Sequence, residues 1–588
     1  MSDNRDTESK PCPVQARQGF SVYYRNRYLY SQYDAEKPVS RLIDSLTILP
    51  ETLILAYSPV LGTGLPRLLE RLPENCFILA VEFDPALYDF FMNTDTAKAA
   101  LSDPRFSAVL LKRPEDIAGL LARTGQSAAF KTAGSALPSQ GSYRRCLPVE
   151  MSGGTAFFQE AYRLTTKFAD DAVATFWKNH ITLTKLGRLY AKNLFTNTAL
   201  LSRPESTKRE GTQIPLSVLR PHSVNKTILA LGAGPSLDEL LPHLPAVRGN
   251  FFILAADAAL PALFQYGIRP DAVVGVESQL AIEKAYIGFS ESGIPLIADM
   301  TSRPRVLSIM NGPAAFFMTE YCNEPFMKRF AAFSKQQDIP VFQPLGSVGL
   351  YALELALYLR ADDTPVCFSG LDFSWGKGST HCKGAPAHTN ALLNASRLNP
   401  AGNPAAAFGA GTTAFKGKDG SVQYTTPNLS GYGMLLGARY KNTPLLFDAG
   451  SSGMETGIQR ISIENMLLNA KKRAVNALPA ANGDISSWMA DRCVSAPISD
   501  HAENNAQRFL DEEYAAVKEI ESLIDEYLAD GTAPAAKDWS RLLHLLEEHS
   551  YLYLHFPDAA RGPSLTRDFL VRVKAEARRL LTHSSHEV

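Results

Sequence analysis

The chain has 588 residues, which is too long for one compact core and predicts about three to four domains. Apolar residues make up 45% and charged residues 20% of the sequence, as is ordinary for a soluble globular protein. Because 59 Lys and Arg residues are balanced by 60 Asp and Glu residues, no overall charge attracts the chain to nucleic acid or acidic membranes.

Targeting signals and cysteines indicate the compartment. The amino-terminal residues are polar and contain no signal peptide, and no apolar run is long enough for a membrane helix. The cysteines form no C-x-x-C pair, and their odd number gives no natural disulfide framework. We therefore expect a cytoplasmic protein with reduced thiols, no membrane span and no nucleic-acid partner. A homo-oligomer is compatible with the sequence.

The first region alternates short apolar strands with helices. Strands are predicted at 52–57 and 76–81, with a small-residue turn at 62–64 between them. This order predicts a Rossmann-like domain with a parallel sheet covered on both faces. Glu82 ends the second strand, where such folds often bind a ribose hydroxyl. The glycine pattern of the turn is incomplete, so a cofactor site and a plain scaffold both remain open.

The remaining chain divides by composition and periodicity. Residues 125–150 and 202–225 are polar and rich in turn-forming residues, and they indicate linkers. Residues 398–421 lack periodicity inside a region of alternating strands and helices, which is typical of a disordered loop or a lid. The predicted fold class is α/β, with two Rossmann-like doubly wound domains, N-terminal and central, and a helical C-terminal domain. The predicted domains are an N-terminal domain with its linker, a helical connector, a central domain and a helical C-terminal domain, at 1–150, 151–225, 226–460 and 461–588.

The strongest local motif follows the predicted strand at 227–231 and reads G-A-G-P-S. Gly232 and Gly234 let the backbone approach a ligand closely, and the free N–H groups of a first helical turn favour an anion. Pro235 costs nothing at a helix start, and Ser236 caps the helix or donates its hydroxyl to phosphate. We predict a phosphate site here, although any strand-to-helix turn welcomes these residue types.

Acidic residues follow the next two strands. Asp257 comes after the strand at 251–256, and Glu277 comes after the strand at 272–276. The carboxyl edge of an open parallel sheet lines its ligand crevice, so both are candidates for binding a nucleotide. For Asp257, contact with ribose or base and capping of the following helix are both open.

A further strand end carries groups suited to acid–base chemistry. Asp372 follows the strand at 365–368, and His381 and His388 lie in the next segment. An imidazole can accept a hydroxyl proton near neutral pH, which makes the histidines candidate bases. The spacing of His381, Cys382 and His388 is not a recognised zinc pattern, and we predict no metal site.

Two polar positions complete the candidate site. Ser347 opens a helix after a glycine turn and is either its N-cap or an acceptor platform. Thr425 lies in a polar turn that could line a sugar or peptide acceptor. The sequence has no P-loop, G-x-S-x-G elbow or H-E-x-x-H motif, and it lacks the D-x-D pair with which many glycosyltransferases hold a metal–nucleotide.

In this order the motifs resemble the motility-associated factor (Maf) glycosyltransferases, which belong to the domain of unknown function 115, or MptE-like, group. The resemblance covers about 226–460 and rests on Gly232–Asp238, Ala255–Leu260, Gly267–Asp271 with Glu277, Gly346–Leu359, Gly370–Phe373 with His381, and Asp448–Gly453. More weakly, Tyr28–Asp34 and the first sheet resemble the family's N-terminal domain. Glu277 stands where the family pattern has Asp, Leu371 where Gln is common, and 375–421 is longer than usual.

The resemblance implies transfer of a nonulosonic acid, pseudaminic or legionaminic in type, from a CMP donor to Ser or Thr hydroxyls of flagellin. It also implies a sialyltransferase-like central domain that works without a D-x-D pair. In this hypothesis the turn at 232–236 holds the CMP phosphate, and Asp257 and Glu277 position the ribose or base. His381, oriented by Asp372, deprotonates the acceptor, with His388 as the second choice. No tightly bound cofactor is expected, and metal dependence is open.

Two other functions are compatible with the sequence. A pterin pyrophosphokinase of the same superfamily would require ATP and a metal, for which no carboxylate cluster is evident. A non-catalytic nucleotide-binding scaffold for flagellar assembly would require no chemistry at all.

Overall fold

The structure is a computed structural model that describes residues 10–122, 131–135, 137–138, 140–202, 216–290, 292–310, 312–400, 408–476, 494–495, 500–529 and 539–586. The chain forms two compact units. The first comprises Met1–Arg188 with Ala533–Val573, and the second comprises Leu189–Thr532 with Lys574–Val588. The finer domain boundaries at 150, 225 and 460 remain predictions.

Helices account for much of both units. In chain order they are α1 (Lys37–Ser45), α2 (Leu65–Glu70), α3 (Pro85–Met92), α4 (Asp95–Leu101), α5 (Asp116–Leu121), α6 (Gln159–Leu201), α7 (Leu237–Leu240), α8 (Leu260–Gln265), α9 (Arg305–Met310), α10 (Pro325–Gln336), α11 (Val348–Leu359), α12 (Pro386–Leu393), α13 (Pro427–Tyr440), α14 (Ile463–Asn476), α15 (Asp500–Ala529), α16 (Ser540–Glu548) and α17 (Arg567–His586).

The first unit is built on a five-stranded sheet with the strand order β7-β6-β5-β4-β8. Beside it lies a small antiparallel sheet of three strands, β1–β3. The strands of this unit are β1 (Cys12–Gln15), β2 (Phe20–Tyr24), β3 (Arg27–Tyr28), β4 (Thr52–Tyr57), β5 (Phe77–Glu82), β6 (Phe106–Leu110), β7 (Lys131–Gly134) and β8 (Arg145–Glu150). In the larger sheet β7 pairs antiparallel with β6, and the other pairs are parallel.

The second unit contains a ten-stranded sheet with the order β19-β16-β10-β11-β12-β13-β14-β9-β20, and β15 also pairs with β14. Its strands are β9 (Leu216–Leu219), β10 (Thr227–Leu231), β11 (Phe251–Ala256), β12 (Ala272–Gly275), β13 (Leu296–Asp299), β14 (Ala314–Thr319), β15 (Val341–Phe342), β16 (Val366–Ser369), β19 (Leu446–Asp448) and β20 (Val494–Ser495). The pairs are parallel except for β20 with β9. A separate antiparallel hairpin joins β17 (Thr413–Lys416) and β18 (Val422–Thr425).

Helices cover both faces of the second sheet. Ile228 and Ala230 of β10 belong to a buried cluster that includes the apolar face of α11. Leu229 and Leu231 belong to a second cluster, which includes Met466 of α14. Because successive side chains of a strand point to opposite faces, this alternation places the two clusters on opposite sides of the sheet. The predicted α/β class with doubly covered parallel sheets is confirmed.

Both sheets have the same kind of topological switch. In the first unit the chain runs through β4, β5 and β6 in one direction and returns to the other side of β4 as β8. In the second unit it runs from β10 through β14 and returns to the other side of β10 as β16. At such a point the two flanking loops separate and leave a crevice at the carboxyl edge, which is where open α/β sheets bind ligands.

Three segments are more regular than their composition indicates. Residues 145–150 were predicted to be part of a linker but form β8, and residues 216–219 of the predicted connector form β9. Within the predicted loop, residues 413–416 form the first strand of the hairpin, whereas 401–407 lie outside the described residues. Short strands that pair with distant segments escape a composition-based prediction because the partner, not the local sequence, decides their conformation.

Candidate functional site

Three loops meet at the switch point of the second sheet. β10 is followed by the turn at 232–236, the neighbouring β16 by Gly370–Asp372, and β19, next to β16, by the loop that ends at Gly453. Since parallel strands end at the same edge, residues far apart in sequence become neighbours here. The sequence predicted the first two as parts of one site, and the structure brings them together.

The glycine turn packs directly on the loop after β16. Gly234 donates its N–H to the carbonyl oxygen of Gly370 at 2.9 Å. A Cβ atom on Gly232 would lie 2.3 Å from that same oxygen, and one on Gly234 would lie 2.5 Å from Oδ2 of Asp372. Both positions therefore exclude a side chain, because a Cβ at either one would also lie within 2.7 Å of the Gly370 main-chain oxygen, closer than real Cβ atoms approach.

Asp372 accepts hydrogen bonds from both donors of Ser236 in the turn. Ser236 donates its N–H to Asp372 Oδ2 at 2.8 Å and its hydroxyl to Oδ1 at 2.5 Å, and the same hydroxyl accepts the N–H of Gly370. The carboxylate is 4% exposed. The Ser236 groups that were predicted to bind a phosphate thus hold a carboxylate of the chain itself. Pro235 lies within the turn before α7, which is only four residues long.

A buried ion pair adjoins Asp372. Lys418 Nζ lies 2.7 Å from Asp448 Oδ2, and the two side chains are 2% and 4% exposed. Asp448 Oδ1 also accepts the N–H of Gly450, and the main-chain N–H of Lys418 donates to Gly453. The positive charge of Lys418 acts on Asp372 as well. This cluster joins two carboxylates and one ammonium group in a largely dry environment.

The buried carboxylates hold their protons more tightly than free ones. Burial raises the pKa of Asp372 to about 6, although the hydrogen bonds from Ser236 and the charge of Lys418 lower it. Burial also raises the pKa of Asp448, against the opposing charge of Lys418. Desolvation disfavours the charged form of an acid, which is the cause in both cases.

Lys418 was not among the predicted site residues. It lies between β17 and β18, in the stretch whose composition indicated a loop or lid. One sequence signal could have found it, because Asp419-Gly420 is a typical hairpin-turn dipeptide between residues of high strand propensity. Folding of this hairpin delivers the lysine to the edge of the second sheet.

The predicted acids after β11 and β12 also lie at this edge. Asp257 is 2% exposed, its Oδ1 accepts the N–H of Ala258, and no hydrogen bond of normal geometry reaches Oδ2 among the described residues. Burial, reinforced by the charge of Glu277, raises the pKa of Asp257 to about 7. The hydroxyl of Tyr286 lies beside this carboxylate. Glu277 is partly exposed and accepts the N–H of Gln279 at 3.0 Å.

His381 belongs to a segment anchored on the glycine turn. Its neighbour Cys382 donates a main-chain N–H to the carbonyl oxygen of Ala233 at 2.9 Å. His381 Nδ1 lies 3.0 Å from the hydroxyl of Thr380, and burial lowers the pKa of the imidazole. No hydrogen bond joins His381 to Asp372 in the described part of the chain; both carboxylate oxygens of Asp372 accept hydrogen bonds from Ser236. A neutral imidazole near the turn remains available to accept a proton.

His388, Ser347 and Thr425 have contacts with the protein itself. His388 Nδ1 accepts the N–H of Gly384 at 3.2 Å within one turn. Ser347 is the N-cap residue of α11, but its hydroxyl makes no capping hydrogen bond. Thr425 is buried and donates to the carbonyl oxygen of Phe373 at 2.8 Å, which fastens β18 to the loop after β16. Their assignments to substrate remain predictions.

Across the described ranges, no three or more His, Cys, Asp and Glu side chains are grouped so that they could hold a metal ion. Among the helices in those ranges, none combines the length and apolar character that a membrane crossing requires.

Comparisons with known proteins place the chain in a family. The family model described as "6-hydroxymethylpterin diphosphokinase MptE-like" matches residues 206–378. An uncharacterized protein of Treponema pallidum (strain Nichols) is 32% identical over 576 residues, which covers 96% of this chain and 93% of that protein. The fold is similar to that of the MAf glycosyltransferase from Magnetospirillum magneticum AMB-1, with a TM-score of 0.57 at 15% identity over 98% of this chain and 91% of that one. The chain therefore belongs to the same family as the Treponema protein, with the MptE-like match inside it at residues 206–378.

Proposed function

We propose that this protein is a cytoplasmic glycosyltransferase that moves a nonulosonic acid from a CMP donor to Ser or Thr hydroxyls of flagellin. The observation that carries the proposal is the convergence of the glycine turn, Asp372, the Lys418–Asp448 pair and His381 at the switch point of the second sheet. The shared fold with the MAf glycosyltransferase supports it, and the sugar and acceptor come from the sequence resemblance.

Lys418 is the group best suited to the leaving phosphate. It is a buried cation at this edge, and it lies beside Gly450, where a Cβ atom would be 3.0 Å from its Nζ. A preorganised positive charge in a dry site stabilises the negative charge that develops on departing CMP. In the proposed reaction Asp448 orients the ammonium group, and Asp372 holds the turn in shape through Ser236.

His381 serves as the general base. The acceptor hydroxyl must lose a proton as its oxygen attacks the anomeric carbon, and the bond from that carbon to the CMP phosphate breaks. Burial lowers the pKa of His381, so the imidazole is neutral and can take this proton at neutral pH. Asp257 and Glu277 lie further along the same edge. In the proposed reaction they position the ribose or base.

The test is intact mass spectrometry of flagellin after incubation with the protein and CMP-nonulosonate. We expect added mass equal to one or more nonulosonate residues, and no addition when the donor is omitted. A protein that leaves flagellin unmodified with an intact donor would contradict the proposal.

The description of the matching family model favours one second candidate, diphosphate transfer from ATP to 6-hydroxymethylpterin. That reaction releases AMP, whereas glycosyl transfer releases CMP. A parallel incubation with ATP, Mg²⁺ and the pterin alcohol, followed by measurement of AMP, distinguishes the two. AMP formation that depends on the pterin would support the second candidate.

A further inference from the structure

The first unit contains its own cavity, of about 680 Å³, at the carboxyl edge of the five-stranded sheet. Tyr57 and Glu150, which line it, are the last residues of β4 and β8. The first turns of α6, from Gln159 to Asp171, form the opposite wall. A concave space of roughly 300–1,000 Å³ is the usual size of a small-molecule site.

The topology makes this a position for a ligand. β4 and β8 flank the switch point of the first sheet, as β10 and β16 do in the second. The cavity is therefore the counterpart, within the first unit, of the crevice that holds the glycine turn and Asp372. Ligands of open α/β sheets bind at such points.

The glycine turn of the first unit does not contribute an anion site. Gly62 and Gly64 have φ of 71° and 85°. Cβ atoms at these positions would collide with side chains of Thr96, Ile43 and Val39. The turn is thus packed into the core of the unit, and its backbone is not presented to a ligand.

The charge of the cavity disfavours a phosphate. Its lining includes the carboxylates of Glu150, Asp170 and Asp171 and the cations of Arg163 and Lys167. Arg163 already pairs with Glu160 at 2.5 Å. The acidic groups are therefore in excess, and an anionic ligand would be repelled.

The hydroxyl hydrogens of the lining are already used. The hydroxyls of Tyr57 and Thr166 bind each other at 2.7 Å, and Thr155 donates to Glu150 at 3.3 Å. Tyr162 donates to Oε1 of Glu82 at 2.8 Å; Oε2 of that buried carboxylate accepts no hydrogen bond from the described residues. The cavity thus offers acceptor oxygens on Glu150, Asp170 and Asp171 together with N–H donors on Gln159 and Lys167, which suits a ligand whose groups both donate and accept, as sugar hydroxyls do.

We propose that the first unit binds a sugar, uncharged or carrying an amine, through the carboxylates of Glu150 and Asp171. Such a ligand presents many hydroxyl donors in a compact volume and carries no phosphate. The site is separate from the proposed transferase site and does not depend on it.

Saturation-transfer NMR on the full-length protein tests this proposal, with glucosamine and N-acetylglucosamine as probes. We expect binding that persists with saturating CMP and is at least about tenfold weaker in the Glu150→Gln/Asp171→Asn double variant. Both side chains are exposed, so the fold should survive, and an unchanged unfolding temperature verifies this. Asp95→Asn, at an exposed position on α4 of the same unit, is the matched control and should bind like the wild type.

Each alternative result overturns the proposal. If neither sugar binds, or if the double variant binds as tightly as the wild type, the cavity is not a sugar-binding site. Displacement of the sugar by CMP would assign the signal to a nucleotide site instead. Binding of a lysine-containing peptide at the cavity, without binding of either sugar, would show that the acidic lining recognises a peptide instead.

Discussion

Asp372 receives two hydrogen bonds from Ser236, one from the main-chain N–H at 2.8 Å and one from the hydroxyl at 2.5 Å. The loop after β16 is thereby fastened to the turn after β10. The same serine oxygen accepts the N–H of Gly370, so a single hydroxyl satisfies groups on both sides of the switch point. The shape of the candidate site depends on this contact.

Replacement of Ser236 by Ala should destabilise the protein. It leaves one oxygen of Asp372 and the N–H of Gly370 buried without this partner, which costs about 1–3 kcal/mol for each group. The free energy of unfolding from urea titration measures the loss. Ser347→Ala is the matched control, because that hydroxyl caps nothing, and it should change stability by less than about 0.5 kcal/mol. Equal effects from the two variants would contradict this account.

The buried carboxylate of Asp257 should make stability fall as pH rises. Its pKa is raised from 3.8 to about 7, so the unfolded chain loses this proton at a lower pH than the folded chain. The bound proton stabilises the folded chain fully at pH values below the pKa of Asp257 in the unfolded chain. This stabilisation, at most about 4 kcal/mol in the free energy of unfolding, disappears as pH rises through about 7. The Asp257→Asn side chain stays neutral, so the free energy of unfolding of this variant should rise relative to that of the wild type as pH increases from about 4 to 8. Denaturant unfolding across this range checks the trend, and a difference that is independent of pH would refute it.

Removal of the ammonium group of Lys418 should be costly unless its partner is neutralised as well. Lys418→Met leaves the carboxylate of Asp448 buried without its counter-charge, which destabilises by about 3–5 kcal/mol. In the Lys418→Met/Asp448→Asn double variant the remaining group is neutral and can still accept the N–H of Gly450, so most of the loss should be recovered. The unfolding temperatures of the wild type, the single variant and the double variant measure this loss and its recovery. No recovery in the double variant would show that the two residues act independently.

His381→Ala should abolish glycosyl transfer, by about 10²–10⁴-fold, and leave CMP binding intact. The imidazole removes the acceptor proton in the proposed mechanism and makes no contact on which the nucleotide depends. Transfer rates and CMP affinity are measured on the same preparation. His388→Ala is the control, because that ring accepts a local main-chain N–H and should retain most activity. Loss of transfer in the His388 variant alone would move the assignment of the base to that residue.

The sequence predicted the parts of the site that follow from strand order. Parallel strands end at one edge, so the glycine turn, Asp257 and Asp372 could be placed there without coordinates. The partnership of Asp372 with Ser236 could not be predicted, because it requires β16 to lie next to β10 and not beyond β14. Lys418 was missed because a hairpin in a glycine-rich stretch brings it to the edge. The acidic cavity of the first unit depends on β8, whose pairing partner lies far away in sequence.

The most direct test of the central claim joins structure and activity in one mass measurement. Flagellin is incubated with CMP-nonulosonate and the wild type, Gly232→Ala or Gly249→Ala. A Cβ at Gly232 would lie 2.3 Å from the Gly370 oxygen, whereas one at Gly249 meets nothing within 4 Å. We predict nonulosonate addition by the wild type and Gly249→Ala and none by Gly232→Ala. Unmodified flagellin with the wild type, or equal addition by all three proteins, would contradict the proposal that this edge of the sheet is a glycosyltransferase site.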